Sequence, residues 1–266
     1  MLIPGYAAAL LIGVSLGLIG GGGSILTVPV LVYLFGVEPL RATGYSLFIV
    51  GVSSLAGAIS NFRKGYIHLR TALLLGISSI ATVIVVRRLL LPAIPEIWFT
   101  AGSVSVTKSS ATMIVFAVLM LFASFSMIRT KVPAVANSDV SRLNAAGMAR
   151  LTAYGVLIGM VTGFLGAGGG FLLIPALVFL VGLPMKNAIG TSLLIIAMNS
   201  LIGFAGDWGT YAIQWELLFT ITSLAIAGIT IGGILGRYIE GTKLKKGFGW
   251  FVLLTGVFII ARELLK

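Results

Sequence analysis

The chain has 266 residues, of which 58% are hydrophobic and only 9% charged. A soluble domain carries about 25% charged residues, so this composition predicts an integral membrane protein and excludes an ordinary water-soluble domain. The 18 Lys and Arg outnumber the 7 Asp and Glu and lie mainly in short connections between apolar runs, a membrane-edge placement that makes the lipid bilayer a partner and nucleic acid none.

In chain order, apolar windows bounded by Pro, Gly or charge give ten segments, at about 5–20, 24–36, 40–61, 67–91, 108–129, 147–165, 170–182, 186–206, 213–236 and 244–264. The first, "MLIPGYAAALLIGVSLG", has no basic n-region and is expected to be retained structure rather than a cleaved signal. A crossing helix needs about 20 residues, and the second and seventh segments fall well short of that. Both short segments follow a glycine cluster: "GLIGGGGSILTVP" from Gly17 to Pro29, and "GFLGAGGGFLLIP" from Gly163 to Pro175. The absence of cysteine removes disulfides and thiol chemistry, and no metal-ligand spacing, nucleophile–base arrangement or cofactor is expected.

The two clusters belong to a duplication. At one constant offset, 163 − 17 = 146, Gly17, Gly20, Gly22, Gly23, Leu26, Pro29, Gly36, Gly44, Ser46, Ser54 and Gly57 fall on Gly163, Gly166, Gly168, Gly169, Leu172, Pro175, Gly182, Gly190, Ser192, Ser200 and Gly203. Residues 1–131 are therefore expected to form a first transmembrane repeat, 132–146 a cytoplasmic linker and 147–266 a second repeat.

If each glycine cluster turns a hairpin, the loops with Arg63, Lys64 and Arg70, then Arg129, Lys131, Arg142 and Arg150, then Arg237, Lys243, Lys245 and Lys246 share one face. That face is the cytoplasm by the positive-inside rule. An odd number of segments per copy then inverts the second copy relative to the first. The fold class expected is an all-α integral membrane protein of two inverted five-segment repeats, each with a glycine-broken helical hairpin, and with both termini outside.

Irregular backbone at membrane depth is tolerated where protein or a cavity satisfies its polar groups. Each cluster leads into a short helix whose first-turn N–H groups carry about +0.5 charge. Glycine lets a ligand approach them. Two such ends would make an anion cradle without charged side chains, which nominates Gly20, Gly21, Gly22, Gly23 and Ser24 with Gly166, Gly168, Gly169 and Gly170. The competing reading of Gly17, Gly20, Gly163 and Gly166 is close helix packing. A phosphate-binding P-loop is disfavoured, because Gly23 stands where its lysine is required.

The paired "GLIGGGGSILTVPVL" and "GFLGAGGGFLLIPAL", each followed by a Gly, Ala and Ser stretch, resemble the sulfite exporter TauE/SafE family over both halves. The resemblance implies a bacterial or archaeal inner-membrane transporter of small anions, with sulfite and organosulfonates such as sulfoacetate among the family's substrates. The stretch "LPAIPEIWFTAGSVSVTKSS" has no matching glycine or proline pattern in the second copy.

Other polar residues extend the candidate substrate site. Ser46, Thr191 and Ser192 open the third and eighth segments, and Ser53, Ser54, Asn199 and Ser200 lie deeper, at about the level of the glycine loops, with Asn199 the side chain most expected to touch substrate. Helix-packing hydrogen bonds are the alternative for each. Asp207, equivalent to Asn61, is a candidate for proton coupling, with an exposed "GDWGT" turn as the competing reading. The single His68 is expected to hydrogen-bond at an interface. A secondary transporter of small anions, acting as an exporter, is the leading expectation. An anion channel of the same architecture and an intramembrane enzyme are the alternatives, and assembly into a homo-oligomer stays open.

Overall fold

A computed structural model describes residues 2–95, 97–101, 104–129, 145–236 and 241–264. Its elements follow the ten expected segments. They are α1 (Leu2–Ile19), a 3₁₀ turn (Gly22–Leu26) running into α2 (Thr27–Tyr33), α3 (Pro39–Arg63), α4 (Leu69–Val85) with a π-helical turn (Val86–Leu90) and α5 (Leu91–Ala93), then β1 (Ile97–Ala101), β2 (Val104–Thr107) and α6 (Lys108–Arg129). The second half has α7 (Ala145–Leu165), α8 (Gly170–Phe179), α9 (Met185–Gly206), α10 (Trp215–Leu235) and α11 (Gly241–Leu264). Most of the expected linker, 132–144, lies outside the described residues, and Ala145 and Ala146 already open α7.

Five of the helical runs, Pro39–Arg63, Leu69–Ala93, Gly147–Leu165, Met185–Gly206 and Trp215–Leu235, are long and apolar enough to cross a membrane. At 1.5 Å per residue, the 10 residues of α8 reach only about 15 Å, half of a hydrocarbon core. Among the described residues, the one addition to the helical pattern is an antiparallel hairpin of β1 and β2. It occupies the stretch that lacks a counterpart in the second copy, where Pro92 and Pro95 stop the helix and "IWFTA" supplies aromatic and β-branched residues.

Equivalent segments pack in equivalent ways. Helix α1 packs on α10, and its counterpart α7 packs on α4; α3 meets α9, and α6 meets α11. Small residues set the first two contacts. A methyl group at Gly17 would lie 2.8 Å from the backbone nitrogen of Gly233, and one at Gly163 would lie 2.7 Å from Val86 Cβ. These two glycines therefore serve close packing, as the competing reading held.

Helices α3 and α9 run antiparallel through the core. Gly44, early in α3, faces Asp207 at the end of α9, while Gly190, early in α9, faces Asn61 near the end of α3. Around this centre the outward surface is apolar, with Leu73, Ile77, Phe122 and Phe219 all exposed. A chain of aromatic contacts joins Phe48, Phe204, Trp208, Trp215 and Phe219 at the Asp207 end. Such a band suits a membrane–water interface.

Candidate functional site

Both glycine loops are buried, and their backbone demands glycine. Gly20 and Gly21 have φ of 65° and 114°, and Gly166, Gly168 and Gly169 have φ of 66°, 65° and 66°. In this left-handed region a side chain is strained. The 3₁₀ turn at Gly22 and helix α8 at Gly170 follow directly, and neither N-cap, Gly21 or Gly169, provides a side-chain cap. Ser24 turns its hydroxyl back to the carbonyl of Gly21 at 2.7 Å.

What holds the loops comes from the opposite copy. Ser46 Oγ donates to the carbonyl of Gly166 at 2.7 Å, and its counterpart Ser192 Oγ donates to the carbonyl of Gly20, also at 2.7 Å. A second exchange secures the helix starts: Thr191 Oγ1 accepts the N–H of His68 at 3.0 Å, and Tyr45 Oη accepts the N–H of Gln214 at 2.8 Å. His68 Nδ1 pairs with Thr71 Oγ1 at 2.8 Å. The donor protons of Ser46 and Ser192 are thus occupied in positioning the loops. Their Ala variants would each leave a buried carbonyl without its partner, at a cost of about 1–3 kcal/mol. Melting of the purified variants should show similar losses for the two; a loss at only one would break the equivalence.

The two loops touch. A methyl group built on Gly170 would lie 2.5 Å from Gly21 Cα, and one on Gly21 would lie 2.8 Å from Gly170 Cα. Although Ser24 occupies the equivalent position in the first copy, Gly170 has no room for serine, since backbone faces backbone here. Gly23 is equally confined, with Ile12 O 2.8 Å from its virtual methyl. Gly22 is buried as the first residue of the 3₁₀ turn.

Unpaired polar groups gather beside the second loop. A methyl on Gly168 would lie 3.3 Å from Ser200 Oγ, and one on Gly169 would lie 2.5 Å from Thr162 Oγ1. Both hydroxyls are buried without a hydrogen-bond partner among the described residues, as is Asn199 Nδ2. Asn199 Oδ1 accepts a hydrogen bond from Ser79 Oγ at 2.9 Å, which leaves the amide N–H groups as available donors. In the first copy Ser53 instead donates within α3, to Ile49 O at 2.6 Å. Its neighbour Ser54 is buried and unpartnered, like its counterpart Ser200. Thr162 escaped the sequence reading because a lone threonine in an apolar run looks like a packing residue.

Asp207 is buried rather than set in an exposed turn. It accepts from Arg87 Nη1 at 2.5 Å and from Tyr211 Oη at 3.3 Å. Burial first, and the Asp207 charge next, push the Tyr211 hydroxyl above its ordinary pKa, so it stays protonated as a donor. Arg87 was the residue that sequence reasoning passed over. The signal available was the pair of arginines inside "VIVVRRLLLP", since a charge within an apolar segment calls for a partner.

The profile of the family described as "Sulfite exporter TauE/SafE" matches residues 6–259. A probable membrane transporter protein of Xylella fastidiosa (strain Temecula1) is 30% identical, over 95% of this chain and 92% of its own length. The probable membrane transporter protein YdhB of Bacillus subtilis is 23% identical, over 94% of this chain and 96% of its own length. No solved structure matches the chain significantly. A profile match across almost the full length, together with relatives matched end to end, means that the chain belongs to the sulfite exporter TauE/SafE family and is a multi-pass membrane transporter, not an enzyme.

Proposed function

We propose that the protein is a secondary transporter that exports a small oxyanion or sulfonate, such as sulfite or sulfoacetate, across a bacterial or archaeal inner membrane. The anion binds at midplane beside the glycine loops, between two inverted repeats. The observation that carries this reading is the pair of buried, unpartnered hydroxyls of Ser200 and Thr162 next to Gly168 and Gly169, at the uncapped start of α8, together with the unpartnered amide of Asn199, the residue before Ser200 on α9. Uncapped N–H groups and amide or hydroxyl donors suit an anion. The antiparallel crossing of α3 and α9 supports the inversion of the copies.

Gly21 packed on Gly170 closes the two loops against each other at this point, which favours alternating exposure over a channel. For the anion to enter, the halves must part there. Coupling follows the same motion: when α4 leaves α9, Asp207 loses Arg87 and can take up a proton.

A binding screen of the purified protein against sulfite, sulfate, sulfoacetate, taurine and carboxylates tests the substrate class. Asn199→Leu sharpens it. Removing an unpartnered buried donor should leave the melting temperature near that of the parent or above it, because Ser79 keeps its bond to Gly76 O. Anion affinity should nevertheless fall about tenfold, the loss of one hydrogen bond to a charge. Unchanged affinity would remove Asn199 from the site.

Topology provides a separate check. With no native cysteine, a single Cys at Lys64 should be protected from an impermeant maleimide in intact cells, and one at Trp208 should label. Labelling at both would contradict the cytoplasmic face assigned by charge.

A further inference from the structure

The two glycine loops are both buried and uncapped, and they differ in their charged surroundings. Arg87 lies in the π-helical turn after α4, a distortion that often marks functional positions. Its side chain is 3% exposed. Only Nη1 is paired, to Asp207; Nε and Nη2 have no partner among the described residues. Those two N–H groups form one edge of a rigid fork, spaced to meet two oxygens of a single anion.

The surrounding contacts set Arg87 among elements that also pack around the second loop. Val86 packs on Gly163, three residues before Gly166, and Gly206 faces Arg87 Cβ, 3.5 Å from its virtual methyl. On the other side, Gly44 faces Asp207, and the adjoining Thr43 packs on Gly166, its Cα 2.7 Å from that virtual methyl. A cleft of about 380 Å³ lined by Leu90, Ala93, Ile94, Pro95 and Phe164 opens one helical turn beyond Arg87. The second copy repeats the packing but not the charge. Its equivalents of Val86 and Arg87 are Gly232 and Gly233, which pack on Gly17.

We propose that Arg87 is an anion-binding residue beside the second glycine loop, its Nε–Nη2 edge taking two oxygens of an oxyanion, sulfonate or carboxylate while Asp207 and Tyr211 hold the guanidinium in place. It rests on the anion-transport reading given above. It adds an asymmetry to that reading: the substrate has a charged station in one half of the molecule and none at the equivalent place in the other. Two oxygens meet the parallel N–H groups one to one, whereas a single-atom anion such as chloride must share them in two bent bonds, so the station favours anions with paired oxygens.

The test compares binding of sulfite, sulfoacetate and chloride with melting temperature in four proteins: the parent, Arg87→Lys, the exchange Arg87→Asp with Asp207→Arg, and the neutral pair Arg87→Gln with Asp207→Asn. Lysine keeps the charge and loses the fork. The exchange keeps an ion pair between α4 and α9, and the neutral pair leaves no buried charge, so neither depends on tolerance of an unpaired ion. Sulfite and sulfoacetate affinity should fall at least tenfold in every variant that folds, including those that melt like the parent, and the preference over chloride should shrink. Affinity within twofold of the parent in any folded variant would make Arg87 a purely structural partner of Asp207 and overturn the proposal. A parent that binds none of the oxyanions would instead overturn the substrate reading, and the Arg87 station with it.

Discussion

Gly170→Ala is expected to cost about 3 kcal/mol or more, the upper range for overpacking a closed interior. The added methyl would meet Gly21 at 2.5 Å from both Cα and the carbonyl oxygen. These are backbone atoms inside a turn fixed by left-handed glycines and by the bond from Ser192 to Gly20, so no rotamer change can relieve the contact. A control is available in α10, where Gly233 has nothing within 4 Å of its virtual methyl. There alanine should stabilise by up to about 1 kcal/mol, through helix propensity alone. Melting of both variants in detergent, with the folded yield from size exclusion, measures the contrast. If Gly170→Ala melted like the parent, the direct contact between the two loops would not exist in the protein.

Asp207→Leu should be comparably severe. Arg87 is almost wholly enclosed and its only partner among the described residues is this carboxylate, so removing the carboxylate leaves a buried charge uncompensated, at about 3–5 kcal/mol. Adding Arg87→Met to the same chain should recover most of that loss, because replacing a whole buried pair with apolar groups of similar volume is often neutral. Tyr211→Phe removes a single 3.3 Å bond to Asp207 and should cost about 1 kcal/mol. A thermal-melt comparison of the three variants decides the matter. An Asp207→Leu protein as stable as the parent would mean that Arg87 finds water or another partner, and that the pair does not bridge α4 and α9.

The severity of both changes has the same origin: each site joins residues from opposite copies. The contacts between Gly21 and Gly170, Ser46 and Gly166, Ser192 and Gly20, and Arg87 and Asp207 all connect one half to the other. A motion that exposes the loops must break or shift these contacts.

Composition alone determined the membrane class, because a hydrocarbon environment leaves so few charges that no other class fits. The duplication and its 146-residue offset were equally legible, since the repeat preserves the glycines and prolines whose backbone roles cannot be transferred to other residues. From the same source came the half-length helices and the turns ahead of them. Tertiary structure alone decided what each polar group does. Ser46 and Asn199 are both polar residues in apolar helices, yet the first has its proton occupied by Gly166 and the second keeps buried, unpartnered donors. Asp207 reads in the sequence as a proton-coupling candidate or a turn residue, and only the fold brings Arg87 to it from 120 positions away. A hydrogen bond or ion pair depends on distance and direction at the scale of an ångström. Local periodicity carries neither for residues so far apart in the chain, and only the packing of one copy against the other supplies them.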